Sequence, residues 1–210
     1  MSDVKNIVSS VNRVEPLSGV SGGKQGSLLL EVYKQKLLLF KAQRDLVEYL
    51  KVSDRLAKKC QEGNNEMDSL GTQKQYLKTE GELKKFDKKM EALKFYLRKR
   101  HTDFSTQAKK IQTTIDMIGK AEDYLKAHQN ALEEALQQKS KPQNEIRKII
   151  AGCKRIKTMD LPALRNRIVI EKKTYARHPE EPLDVGALEK AVEYGEALVE
   201  FGERVGPTRP

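Results

Sequence analysis

Leu83-Lys-Lys-Phe86-Asp-Lys-Lys-Met90-Glu-Ala-Leu93-Lys-Phe-Tyr-Leu97-Arg-Lys-Arg-His101-Thr-Asp-Phe104 is the stretch on which the fold turns. Its apolar residues return every three or four positions, the period of a helix lying against another helix and not that of a strand. The pattern continues through Ala108, Ile111, Ile115, Ile118, Leu125, Leu132 and Leu136, and no proline interrupts the 68 residues from Thr72 to Lys139. Such an alternation traces one coiled-coil seam. A bare helix of this length would leave its whole apolar stripe in water, so other helices must cover it. The reading is an all-α protein, an elongated helical hairpin or coiled coil with one very long central helix and shorter flanking helices. On that reading a carboxylate introduced at Ile115 is expected to melt the rod.

Working outward, residues 1–27 read as a short N-terminal helix followed by a flexible linker. Val4, Ile7, Val8 and Val11 share one helical face behind Asp3, and Pro16 to Ser27 is rich in Gly and Ser. Ser27 is a candidate N-cap for a first helix of about 35 residues, ended near Glu62 by Gly63-Asn64-Asn65. Thr72 and Gln75 form the capping-box spacing for the long second helix, so residues 28–139 make the hairpin. The two arms are then unequal, and the stretch from Ile111 to Leu136 needs another cover. Residues 140–178 supply it, with a capping-box pattern at Ser140–Gln143, then Ile146, Ile149, Ile150 and Cys153 at helical spacing, and a new helical start at Asp160-Leu-Pro162. Residues 179–210 form an acidic C-terminal helix capped by Asp184, with Leu188, Leu198 and Phe201 inward. Gly195 and Gly202 follow Leu188 at heptad spacing, and their cost to helix stability suggests the close approach of another backbone or a bulky group there.

Charge narrows the function. Formal net charge is +10, but residues 1–178 hold 37 Lys and Arg against 22 acids, whereas residues 179–210 hold 3 against 8. Between Lys139 and His178 there are twelve cations (Lys139, Lys141, Arg147, Lys148, Lys154, Arg155, Lys157, Arg165, Arg167, Lys172, Lys173 and Arg177) and three acids, Glu145, Asp160 and Glu171. This basic face is the candidate site for an acidic partner. A second cluster lies on the long helix at Lys84, Lys85, Lys88, Lys89, Lys94, Arg98, Lys99 and Arg100.

Reaction chemistry is not signalled. Gly19-Val-Ser-Gly-Gly-Lys24-Gln25 fails as a phosphate loop, because Ser18 replaces the first glycine and Gln25 the magnesium-binding hydroxyl. Three scattered histidines and two cysteines 93 residues apart match no metal spacing. His101 falls on the apolar seam, where a polar group fixes register. The expectation is therefore no enzyme, no cofactor, no metal and no small-molecule substrate. Mean hydropathy of -0.68 and the absence of any long apolar run argue against a membrane partner, and the opening Met-Ser-Asp-Val-Lys lacks the plan of a secretory signal. A cytoplasmic, cytoskeleton-associated location is expected.

The seam Leu97, His101, Phe104, Ile111, Ile115, Ile118, Leu125, Leu132, Leu136, Leu188, Leu198 and Phe201 is the expected interface with other helices, in a larger complex or in an oligomer of the chain itself. The functional expectation is a structural coiled-coil protein of a microtubule- or axoneme-like assembly, its basic face against an acidic lattice such as tubulin. The alternative is a packaging or ribonucleoprotein component whose residues 139–178 contact nucleic-acid phosphates.

Overall fold

The computed structural model describes residues 25–138, 141–177 and 185–206, and among these every regular element is helical. Helix α1 spans Gln25–Gln73, a single 3-10 turn occupies Lys74–Tyr76, and α2 spans Glu80–Ala127. A joint at His128 leads into α3, Gln129–Gln137, after which α4 covers Gln143–Arg155 and α5 Leu161–Arg177, joined by a π turn at Ile156–Asp160. Helix α6 is Val185–Val205. The N-terminal helix, the linker as far as Lys24, the Ser140 and Asp184 caps and Lys139 lie outside the described residues, whereas Gln25 to Ser27, expected as linker and cap, already belong to α1.

The hairpin is symmetric where the sequence predicted unequal arms. α1 has 49 residues and α2 has 48, because α1 runs straight through Gly63-Asn64-Asn65. Gly63 faces the partner helix and does not end its own: a Cβ there would stand 2.7 Å from Leu97 Cδ2. The glycine makes room for the Leu97 side chain at a seam position. The turn comes a dozen residues later, and the cap that starts α2 is Thr79, not Thr72. Thr79 Oγ1 accepts from the Glu82 amide at 3.2 Å, and the Glu82 carboxylate accepts from the Thr79 amide at 3.0 Å. These bonds, the Thr79 hydroxyl first, hold the Glu82 carboxyl below its ordinary pKa.

On α1 the residues that face α2 are Leu39, Ala42, Leu46, Tyr49, Ser53, Leu56, Cys60, Gly63, Met67 and Leu70, a regular three-four series. On α2 the matching series is Phe86, Met90, Leu93, Leu97, Arg100, Gln107, Ile111, Thr114, Ile118, Ala121 and Leu125. Beyond residue 127 the helix does not continue as one piece. His128 stacks on Tyr124 at 4.1 Å between ring centroids, and its Nδ1 lies 2.8 Å from the Tyr124 carbonyl oxygen. A ring bonded into the helix ladder is a recognised cause of a bend.

The remaining helices gather at one end. α6 packs along the first half of α1 and is flanked by α4 and α5, so residues 140–178 lie against α1 and α6 and do not cover Ile111 to Leu136 as the sequence predicted; with the arms equal in length, α1 covers that stretch. Leu29, Val32, Phe40 and Val47 of α1, Ile149 of α4, and Leu188, Leu198 and Val205 of α6 are all but sealed from water. Both glycines of α6 are explained by close approach. A Cβ on Gly195 would meet Leu161 at 2.7 Å and Phe40 at 2.9 Å, and one on Gly202 would meet Cys153 at 2.6 Å. The result is a closed base of several helices, from which residues 52–106 of the hairpin extend as a two-helix arm. In that arm the core is thin: Leu70, Phe86, Leu93 and Leu97, with Met67, Leu77 and Met90 at its edge.

α4 and α5 are one helix, where the sequence predicted a break before Leu161. The buried side chains step through Ile146, Ile149, Cys153 and Ile156, then resume at Leu161 and Leu164. The step from 156 to 161 is one residue too long for an α-helix and would swing the buried face aside by about 140°. The π turn absorbs the extra residue, with the Leu161 amide donating to the Ile156 carbonyl. Pro162, lacking an amide hydrogen, follows directly and makes the widened turn tolerable.

Candidate interaction surfaces

The basic face divides in two once it is folded. Its inward flank is neutralised by the chain's own acids: Lys157 meets Glu203 at 2.6 Å, Arg165 meets Glu196 at 2.5 Å, and Lys172 meets Glu189 at 3.0 Å. Arg167 pairs with Glu48 and lies near Glu171, which also takes Lys51. The acidic tail and α1 thus consume four of the candidate cations. Asp160, an acid of the same segment, bonds Arg44 at 3.0 Å. Most of these side chains are exposed enough that each pair contributes only about 0.2–1 kcal/mol, and together they fix the register of α5 against α1 and α6.

The outward flank is different. Arg147, Lys148, Lys154, Arg155, Lys173 and Arg177 are exposed and make no ion pair among the described residues. Lys141 is half-buried at the start of the same run. Helical spacing explains the division, because Ile146, Ile149, Cys153 and Ile156 occupy the side of α4 turned to α6 and leave 147, 148, 154 and 155 on the other side. Lys139 of the sequence-predicted set lies outside the described residues.

The seam residues separate similarly. Leu97, Ile118, Leu132, Leu188, Leu198 and Phe201 are buried, and Ile111, Leu125 and Leu136 are half-buried. His101, Phe104 and Ile115 are exposed, Phe104 to 37% and Ile115 to 46%. The line drawn through His101, Ala108 and Ile115 runs one position off the seam of the hairpin. The seam passes instead through Arg100, Gln107 and Thr114. Gln107 Nε2 donates to the Tyr49 carbonyl at 3.0 Å, and Thr114 Oγ1 donates to the Lys110 carbonyl of its own helix at 2.8 Å. The Arg100 guanidinium lies 4.9 Å from the Tyr96 ring centroid and 3.4 Å from Asp103, its Nε buried without a partner. A rule that follows apolar residues leaves the seam at these polar positions. Only an unbroken seven-residue count from Phe86 and Leu93 reaches Arg100, Gln107 and Thr114.

The flank carrying Ile115 is the one α6 covers further down. Tyr194 of α6 donates its hydroxyl to Glu122, one heptad beyond Ile115, and packs on Leu39, Ala42, Ile118 and Ala121. Burial first, then Glu122, pushes the Tyr194 hydroxyl well above the ordinary tyrosine range, so it stays a donor. On the arm itself the outermost line of α2 carries Lys88 and Phe95, the latter 72% exposed. Lys85, Lys88, Arg98 and Lys99 are exposed there and make no ion pair among the described residues, whereas Lys84, Lys89 and Lys94 pair with Glu80, Glu66 and Glu91.

Groups that carry chemistry elsewhere serve packing here. Cys153 donates its thiol to the Leu198 carbonyl at 3.2 Å, and burial pushes its pKa up to about 11, which keeps it protonated. Among the described residues no group of three or more His, Cys, Asp or Glu gathers as a metal site, and no helix is long and apolar enough to cross a membrane. An open crevice of about 200 Å³ beside α1 and α5 is lined by Arg44, Asp45, Glu48, Asp160 and Arg167. All but Asp45 are engaged in the ion pairs above, and burial raises the pKa of Asp45.

These elements define an all-α, elongated helical protein, a coiled-coil hairpin locked at one end into a bundle. In comparisons with family models, with curated proteins and with solved structures, nothing matches this chain.

Proposed function

We propose that this protein is a non-enzymatic structural component that builds into a larger cytoskeletal assembly of the microtubule or axoneme type. The hairpin acts as a stiff strut, and the outward cations of α4 and α5 set it on an acidic lattice. The observation that carries this reading is the asymmetry of the basic segment: its inward cations are matched by internal carboxylates and its outward ones are not. Charge without an internal partner on a rigid helix favours an acidic surface outside the chain. The exposed flank of α2 supports the same reading, since Phe95, Phe104 and Ile115 offer apolar contact to neighbouring helices.

Co-sedimentation with microtubules over a range of salt concentrations tests it. The wild-type chain is expected to pellet, with binding that weakens as salt rises. The variant Arg147→Glu, Lys148→Glu, Lys154→Glu, Arg155→Glu is expected to lose at least tenfold in affinity at unchanged helix content. Retained pelleting by that variant overturns the role of the outward face. Binding confined to duplex DNA or RNA, with a salt slope of several phosphate contacts, replaces the cytoskeletal reading with the nucleic-acid one.

A further inference from the structure

The outward face of the α4–α5 helix is more than a row of charges. Because the π turn absorbs one residue, the side of α4 that looks away from α6 continues onto α5 without a change of direction. Along this face, from Asn144 to Arg177, no acidic side chain points outward: Glu145 is half-buried, Asp160 is held by Arg44, and Glu171 is held by Lys51. Four unpaired cations, Arg147, Lys148, Lys154 and Arg155, stand at one end, and Lys173 and Arg177 at the other. Between them the surface turns apolar. Met159 is 63% exposed, Val169 48% and Ile170 54%, and the positions around them are Pro162, Ala163 and Asn166.

This order selects the class of partner. A nucleic-acid backbone engages cations and, where single-stranded, aromatic platforms, and it gains nothing from three bare aliphatic side chains. An anionic bilayer binds through bulky apolar groups that sink between headgroups, whereas the middle of this face is short and flanked by small residues. A protein helix fits both features. Aliphatic residues at three- and four-residue spacing would cover Met159, Val169 and Ile170, the small side chains would allow close approach, and carboxylates on either side would meet the two cationic ends. From Arg147 to Arg177 the face is about 45 Å long at 1.5 Å per residue, room for a partner helix of roughly 28–30 residues.

We infer that the outward face of α4 and α5 is the docking site of an acidic amphipathic helix belonging to a partner protein, laid along the whole segment. The inference rests on reading the chain as an assembly component and specifies what the neighbouring component presents. It adds an apolar requirement that a lattice bound by charge alone does not have.

The test uses the full chain and a synthetic 28-residue helical peptide with a leucine stripe bordered by glutamates, followed by fluorescence anisotropy. A 30-base-pair DNA duplex and vesicles of phosphatidylcholine with phosphatidylserine serve as competing probes. Met159→Ser, Val169→Ser, Ile170→Ser removes the apolar centre and keeps every charge. Because these side chains face water, its melting temperature should stay near that of wild type, which shows that the variant is folded. The peptide is expected to bind the wild-type chain more tightly than either competitor does. The serine variant is expected to lose at least tenfold in peptide affinity, with duplex and vesicle binding unaltered. Unchanged peptide affinity in the serine variant, tighter binding of duplex or vesicles than of peptide, or no peptide binding each overturns the inference. Microtubule pelleting that fails with the charge-reversed variant but survives in the serine variant leaves the assembly reading standing and removes this one.

Discussion

The base and the arm are made from the same two helices, yet they are stabilised by different means. In the base, α1 has α2 on one side and α6 on another, so Phe40, Val47 and Val32 vanish from solvent. In the arm, α1 meets only α2, and one seam must hold the pair. That seam is strong toward the tip, at Leu70, Phe86, Leu93 and Leu97, and polar toward the base, at Arg100, Gln107 and Thr114. Few buried apolar contacts mean low local stability, whatever the propensity of the helix. The contrast teaches that helix length says nothing of local stability: a 49-residue helix has one end in a core and the other in a two-strand cable.

The largest predicted effect breaks the base. Phe40→Ala removes a sealed aromatic ring that also packs on Gly195, and is expected to cost about 3–5 kcal/mol, read as a fall in the global melting transition. Next comes the seam of the arm. Leu97→Ala is expected to cost about 2–4 kcal/mol locally, with faster amide exchange in residues 56–100 and little change in α6. If α6 loses protection equally, the two regions are one cooperative unit and the comparison fails.

Gly202→Ala is third, at about 1–3 kcal/mol of destabilisation in thermal melts, because the added methyl meets both Cβ and Sγ of the short, buried Cys153 side chain at 2.6 Å, and a Cβ cannot swing aside. A gain in helix propensity of about 1 kcal/mol works against this and is included in the range. Paired substitutions on α2 are fourth, ranked by the milder of the two. Ile118→Asp buries a carboxylate and is expected to unfold the junction, whereas Ile115→Asp, three residues away, is expected to shift stability by no more than about 0.5 kcal/mol. A drastic Ile115→Asp would mean that its flank is covered in solution, by a second chain or by another segment. The smallest effect is on Cys153. Its folded pKa lies above the ordinary thiol value of 9.0, so its contribution to stability is complete below pH 9 and is lost as pH rises through about 11. Denaturant midpoints of wild type and Cys153→Ala across that window check the sign.

Much of the fold was legible in the sequence because period and composition decide it. The three-four spacing from Leu83 to Leu97 and the apolar stripes of α4 and α6 required helices packed on helices, and the glycines at 195 and 202 signalled close contact. What misled was local chemistry overruled by packing. Gly63-Asn64-Asn65 carries the residues of a helix end, but the seam between Cys60 and Leu70 gains more from continuing, and Gly63 becomes a contact point. Asp160-Leu-Pro162 resembles a fresh start, but a π turn preserves the helix. The apolar line through His101 parts from the seam for the same reason, since the heptad count leads to the polar positions Arg100, Gln107 and Thr114.

The candidate site was half legible. Charge density marked residues 139–178 correctly as a basic stretch, and helical phase gives which cations face outward. Which of them were already neutralised depended on partners far along the chain: Glu48 on α1 and Glu189, Glu196 and Glu203 on α6. Ion pairs 17 to 119 residues apart leave no mark on a one-dimensional reading.

Hydrogen exchange resolved by segment and followed by mass spectrometry addresses the base-and-arm account most directly. The account predicts that α6, residues 185–205, and the first half of α1 exchange only with global unfolding. Residues 56–100 should exchange at least a hundredfold faster, fastest beside Arg100. Uniform protection along both halves of α1, or an arm that outlasts α6, would contradict it.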